Sequence, residues 1–205
     1  YAWEPEKGVH IGIMPRNGTV DDLRWFQGDP AFVFHPMNAH ADGDIVTCDV
    51  CEFEEAPLFP GPDGTPGDPA KAIPRLTRWT FDLAKNTNDY KSERLDDLAC
   101  EFPRLDERYT GAKYRYGYFA ADNNPQFKVG GFNAIGRRDH ESGKVELHDV
   151  GESCATNEPI FVPRSAESPE GDGFLLANVY DANRKASHLV ILDAQNVSGA
   201  PLAKA

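Results

Sequence analysis

Of the six histidines in the 205-residue sequence, His35 is the one placed to do chemistry. It stands in residues 32–40, FVFHPMNAH, flanked by Phe34 and Pro36 in a run that reads as a buried strand. A neutral imidazole is the commonest protein ligand for a borderline metal. His35 is therefore either a metal ligand or a core histidine whose ring nitrogens find protein partners. Two glutamates share its oddity. Glu101, in CEFPRLD, and Glu158, in NEPIFVPR, each open an apolar strand pattern. A carboxylate entering a buried strand needs a partner, and a metal-bound imidazole usually donates its second ring N–H to a carboxylate or carbonyl. His35, Glu101 and Glu158 recur at roughly one per 60 residues, so they fit one site fed by successive repeats. The competing reading makes the glutamates caps, or ion-pair partners of Arg104, Arg108 or Arg164.

The other candidates read as structural. His140 lies in the turn DHESGK and is expected to be solvated. His10 and His148 fall in outer hairpin strands, and His188 opens a strand. Cys48 and Cys51 have the spacing of a zinc knuckle or a redox pair. They sit, however, in IVTCDVCEFEE, which alternates like a strand. Strand residues three apart face opposite sides, so the two sulfurs should not converge. With Cys100 and Cys154 they read as reduced thiols of a cytoplasmic protein.

The elements that must carry these residues are short strands separated by turns. Gly 18, Pro 16, Phe 12, Tyr 7 and Trp 3 suit strands and tight turns. One unit recurs: an apolar strand, a polar turn, a second strand. Its copies are HIGIMPRNGTVDDLRWF, TRWTFDLAKNTNDYKSERL, NAIGRRDHESGKVELHDV and SHLVILDAQNVSGAPLAKA. Asp82, Asp139 and Asp193 stand just before the turn in the last three, and Arg16 stands there in the first. Further strand patterns lie between the copies: AFVFHPMNAH with DIVTCDVCEF, KYRYGYFA, and EPIFVPR with GFLLANVYD. About four strands per roughly 55 residues is the period of a β-propeller blade. The expected fold is all-β, a partial propeller of about three to four mostly antiparallel blades filling residues 1–205. The Pro/Gly-rich stretch 57–74 reads as a surface loop within one blade. Tyr1 in place of Met, and an end inside a strand pattern at Ala205, give the expectation that both ends are cut from a longer propeller domain. The net charge of -12 argues against nucleic acid, and no apolar run reaches the roughly 20 residues of a membrane-spanning helix.

Several segments together resemble the carotenoid cleavage oxygenase family, which includes the bacterial lignostilbene dioxygenases. They are IGIMPRNG, LRWF, FVFHPMNAHADGD, the RWTFDL hairpin, LACEFPRLDERYTGAKYRYGY, NEPIFVPR, EGDGFLL and LVILDAQ, in order along nearly the whole chain. The resemblance implies a seven-bladed propeller with Fe(2+) on its axis, bound by four histidines, three of them hydrogen-bonded to glutamates. On that pattern His35 matches the third iron histidine. Glu101 matches the glutamate that orients it, and Glu158 the glutamate that orients the fourth. The remaining histidines and the first glutamate would lie outside this chain. His40 is an outer position and not a ligand.

The implied reaction uses O2 to split a conjugated C=C bond of a carotenoid, apocarotenoid or stilbene into two carbonyl products. The substrate is an apolar small molecule, and any peripheral membrane contact would run through segments outside this chain. His35 is then expected to be buried with its iron. Phe32, Phe34 and Phe161 either line the site or belong to the propeller core. With one iron ligand, the chain alone is expected to be inactive. Two rivals remain: a non-catalytic binding or scaffold propeller, and a propeller hydrolase whose paired carboxylates, Glu101 and Glu158, face a common cleft.

Overall fold

A computed structural model of the chain describes residues 1–124 and 131–205. The first strands are β1 (Val9–Ile13) and β2 (Arg24–Gly28), followed by β3 (Phe32–Asp42), β4 (Ile45–Phe53) and β5 (Arg75–Asp82). Next come β6 (Lys91–Leu105), β7 (Tyr116–Asp122), β8 (Ala134–Asp139) and β9 (Val145–Asp149). The last group is β10 (Cys154–Thr156), β11 (Ile160–Pro163), β12 (Gly173–Asp181), β13 (Ala186–Asp193) and β14 (Ala203–Lys204). Among the described residues the only helical turns are three short 3-10 segments.

All four repeated hairpins form. β1 pairs with β2, β5 with β6, β8 with β9 and β13 with β14, each antiparallel. The repeated aspartates work as turn formers. Asp82, Asp139 and Asp193 accept hydrogen bonds from the backbone N–H groups of Ala84, Glu141 and Gln195 at 3.1, 3.0 and 2.9 Å. A carboxylate bonded two residues on holds the chain in a turn. The first copy lacks this aspartate, and there Thr19 caps the 3-10 turn Val20–Asp22.

The long strand β6 explains how the sheets become blades. Residues 91–99 pair with β5, and residues 99–105 pair with β7. One strand thus closes one blade, β3–β4–β5–β6, and opens the next, β6–β7–β8–β9. The third blade is β12–β13–β14 with β10 and β11 both lying along β12 as an interrupted inner strand. With the β1–β2 pair this makes three blades and half of another, a partial β-propeller. Residues 57–74 run between β4 and β5.

Strand alternation divides the core into three inter-blade layers. On β4 and β5, Val50, Trp79 and Phe81 pack towards β1–β2 around Phe26, while Cys51 and Leu76 face the second blade. Cys48 packs in the first layer and Cys51 in the second, so the two thiols do lie on opposite faces. On β7, Phe119 and Ala121 join the second layer, and Tyr118 joins Ile135, Leu175 and Val190 in the third. Each large side chain fully buried here stabilises the fold by about 1.5–3 kcal/mol. Gly136 is required by this packing: a Cβ at that position would stand 2.1 Å from the Phe119 ring across the β7–β8 pair.

A polar knot ties the first blade to the second. Asp49, fully buried on β4, accepts two hydrogen bonds from Arg78 at 2.7 and 2.8 Å and one from the Tyr114 hydroxyl at 2.6 Å. Arg78 also donates to His140 Nδ1 at 3.2 Å. The solvated His140 expected from the turn sequence is therefore corrected: its side chain is 6% exposed. Arg115 and Asp139 fold the turn inward, and the Tyr114 ring covers the imidazole at 4.7 Å.

Burial holds the His140 pKa down at about 4, against an ordinary value of 6.5. Between those values the unfolded chain binds a proton that the folded chain does not, so stability falls as pH falls from about 6.5 towards 4. His40, also lowered by burial, adds with the same sign. His140→Gln is expected to flatten the acid slope of Tm over that window, by up to about 1.4 kcal/mol per pH unit. Thermal unfolding at stepped pH checks this, and an unchanged slope would show that other groups carry it.

Candidate metal centre

β3 and the second half of β6 are the inner strands of consecutive blades, and both are bulged where the candidate residues sit. Along β3 the register steps from Val33–Glu52 to Pro36–Val50 to Asn38–Asp49, with an extra residue at each step. Pro36 has no N–H to give a ladder, which suits it to a bulge. Along β6 the register steps from Glu101–Ala120 to Arg104–Tyr118, and Phe102 takes φ 52°. A non-glycine residue in that region costs roughly 1–3 kcal/mol and persists only where surrounding structure enforces it. Bulges re-aim side chains, and here they turn two neighbouring strands towards one point.

At that point His35 Nδ1 lies 2.7 Å from Glu101 Oε2. Glu101 is 4% exposed, and the Phe102 N–H also donates to its Oε2. Its Oε1 is buried without a hydrogen-bond partner among the described residues. A carboxylate acceptor at Nδ1 places a proton there, which leaves Nε2 as the donor atom for a metal. The His35 side chain is 48% exposed, which corrects the expectation of a buried histidine. β3 is the terminal strand of its sheet, and His35 lies within its bulged stretch.

Aromatic rings flank the imidazole. Phe34 lies at 6.2 Å and Phe102 at 5.5 Å between ring centroids. Phe32 packs against Phe34, Phe53 and Phe59. Phe161 takes the core alternative: it is 7% exposed and stacks on Tyr118 at 5.3 Å. Phe102 was missed from the sequence, although its place directly after Glu101 was the available signal.

Glu158 lies just before β11, with its side chain 46% exposed, and accepts a hydrogen bond from Arg104 Nη1 at 3.0 Å. The structure thus brings His35 and Glu101 into contact and joins Glu158 to the same inner strand through Arg104. The two carboxylates have different partners, Glu101 at His35 and Glu158 at Arg104. Among the described residues no three His, Cys, Asp or Glu side chains converge as a metal site. What is present could supply one ligand position of a metal centre: an imidazole held at Nδ1 by a buried carboxylate, with Nε2 unpaired among the described residues.

The family model described as RPE65, retinal pigment epithelial membrane protein, matches residues 1–205. An isoeugenol monooxygenase of Pseudomonas putida is 39% identical over 211 residues, covering 99% of this chain and 44% of that protein. The crystal structure of a Pseudomonas brassicacearum lignostilbene dioxygenase superposes with a TM-score of 0.93 at 32% identity, covering 99% of this chain and 45% of that one. A cobalt-substituted Synechocystis ACO superposes with a TM-score of 0.85 at 30% identity, covering 98% and 41%. The chain spans under half the length of each of these relatives.

Proposed function

This chain belongs to the retinal pigment epithelial membrane protein family, and from that premise we propose that it is part of a non-haem Fe(II) dioxygenase cleaving a conjugated C=C bond of a carotenoid, apocarotenoid or stilbene into two carbonyl products. The observation that carries this reading is the 2.7 Å contact between His35 and Glu101 across consecutive inner strands. The names of the relatives, an isoeugenol monooxygenase and a lignostilbene dioxygenase, support an apolar conjugated alkene as substrate. A cobalt-substituted relative supports a metal site.

His35 would hold the metal through Nε2. Glu101 accepts the Nδ1 proton, fixes the tautomer and ring plane, and raises the basicity of the free nitrogen. Its buried negative charge also offsets part of the metal's positive charge. Glu158 would orient a second imidazole supplied from outside this chain. Phe34 and Phe102 wall the imidazole with apolar surface, which suits an alkene and disfavours water. When bound, the ferrous ion supplies the activation of dioxygen that these side chains cannot perform. Four free cysteines suit a reducing compartment, and the cytoplasm is the proposed location.

The test is anaerobic loading of the whole protein with Fe(II), then exposure to labelled O2 with a stilbene and, separately, an apocarotenoid. Two carbonyl products carrying label from O2 are the expected result. A fully iron-loaded protein that cleaves neither class would overturn the reading. The chain alone, with one ligand histidine, is expected to show no cleavage.

A further inference from the structure

We propose that Arg104 is a positioning residue for Glu158, the residue that aims this carboxylate at its imidazole. The proposal rests on the reading of Glu158 given above. Three observations carry it. Arg104 sits on the same inner strand as Glu101, and the bulge at Phe102 sets the pair opposite Ala120 and Tyr118, two residues apart on β7. A regular strand would turn residues three apart to opposite faces, and the extra residue brings them to one side. The two side chains engage different blades: Glu101 contacts His35 in the preceding blade, and Arg104 contacts Glu158 at the entry of the next.

The guanidinium is itself fixed at two points. Nη1 donates to Glu158 and Nη2 donates to Glu107. Only Oε1 of Glu158 is engaged by Arg104. Its second oxygen is left to accept an imidazole N–H. A lysine could supply the charge but not a planar fork held at both ends. The alternative role is a plain ion-pair staple between blades. Arg104 is 30% and Glu158 46% exposed in their side chains, however, and pairs this open to water contribute little to folding. Position is what such a pair can supply.

The experiment measures Co(II) and Fe(II) affinity by chelator competition, alongside thermal unfolding, on the whole protein. The variants are Arg104→Ala, Arg104→Lys, Glu158→Gln and the charge swap R104E/E158R. Arg104→Ala is expected to weaken metal binding about 10-fold, the lower end for groups that orient ligands, and Arg104→Lys to recover part of it. The swap restores an ion pair but leaves no carboxylate at 158, so it should unfold thermally near the parent, as the single variants of so open a pair should, and not recover affinity. An Arg104→Ala protein with unchanged affinity, beside a Glu158→Gln protein that loses it, overturns the proposal and keeps the reading of Glu158. A swap that restores affinity, with no carboxylate at 158, overturns the reading of Glu158 and the proposal with it. Unchanged affinity in Glu158→Gln overturns the reading of Glu158 itself. Should Arg104→Ala not fold, Arg104→Lys beside Glu158→Gln decides between the same outcomes.

Discussion

His35→Ala is expected to lower Fe(II) affinity by at least about 100-fold and to take O2-dependent cleavage below detection, because it removes a ligand outright where loss of an orienting group costs 10–100-fold. Glu101→Gln is the companion variant. It keeps the shape of the side chain but offers Nδ1 an amide in place of a charged acceptor, so a loss within that 10–100-fold range is expected. The two substitutions should differ in stability. His35 is half exposed and its removal costs little packing, but it strips Glu101 of its partner. A buried carboxylate left with only the Phe102 N–H costs about 1–3 kcal/mol. Glu101→Gln discards that charge together with its need for a partner. Metal analysis after gel filtration, with denaturant unfolding of both variants, checks the pair. Full metal retention by His35→Ala would remove His35 from the site.

The long-range part of the architecture was legible because propellers are periodic. Turn aspartates at 82, 139 and 193 and alternating strands between them repeat along the chain, and hairpins are local, so the sequence carried their pairing. The same alternation placed Cys48 and Cys51 on opposite faces. The contact between His35 and Glu101 was legible only through the family pattern, since a separation of 66 residues leaves no local trace. Three features were not legible. The bulges on β3 and β6 depend on the partner strand's register, which one strand does not encode. The exposure of His35 goes with its place on the terminal strand of its sheet, in a chain that spans under half the length of its relatives. His140 reads as a turn residue, and it is buried by the approach of Arg78 from the first blade and of Tyr114 from the loop entering β7. Arg104 was named as a competing partner for Glu158, and the two do pair. That contact is the ion-pair alternative offered for Glu158.

The second large effect lies away from the metal. Asp49→Asn is expected to destabilise the protein by about 3–5 kcal/mol, the cost of breaking a buried ion pair from one side. Asp49 is fully buried and receives three hydrogen bonds, from Arg78 and Tyr114. Burial raises its pKa, but the Arg78 hydrogen bonds, the His140 charge and the Tyr114 hydroxyl outweigh that and leave it lowered. Its contribution is present above the unfolded carboxylate value of 3.8 and is lost as pH falls through the still lower folded value. Acid unfolding should therefore show two limbs: one between about 6.5 and 4 from His140, and one beginning below 3.8 that disappears in Asp49→Asn. Tyr114→Phe, which removes one hydrogen bond and leaves the charges paired, should cost only about 1 kcal/mol. Asp49 stands opposite Asn38 in the β3–β4 ladder, which ties the knot to an inner strand. Beside it, Asn38 of β3 donates to the carbonyls of Tyr109 and Ala112 and accepts from the Gly111 N–H, which fixes β3 to the loop entering β7. β3 carries His35 and β6 carries Glu101. Asn38 lies three residues from His35 on β3, so loosening the Asp49 knot should lengthen the neighbouring 2.7 Å contact. Asp49→Asn is expected to lose metal affinity at temperatures where it is still folded. A variant that is destabilised yet binds metal as tightly as the parent would show that the inner strands hold their spacing without the knot.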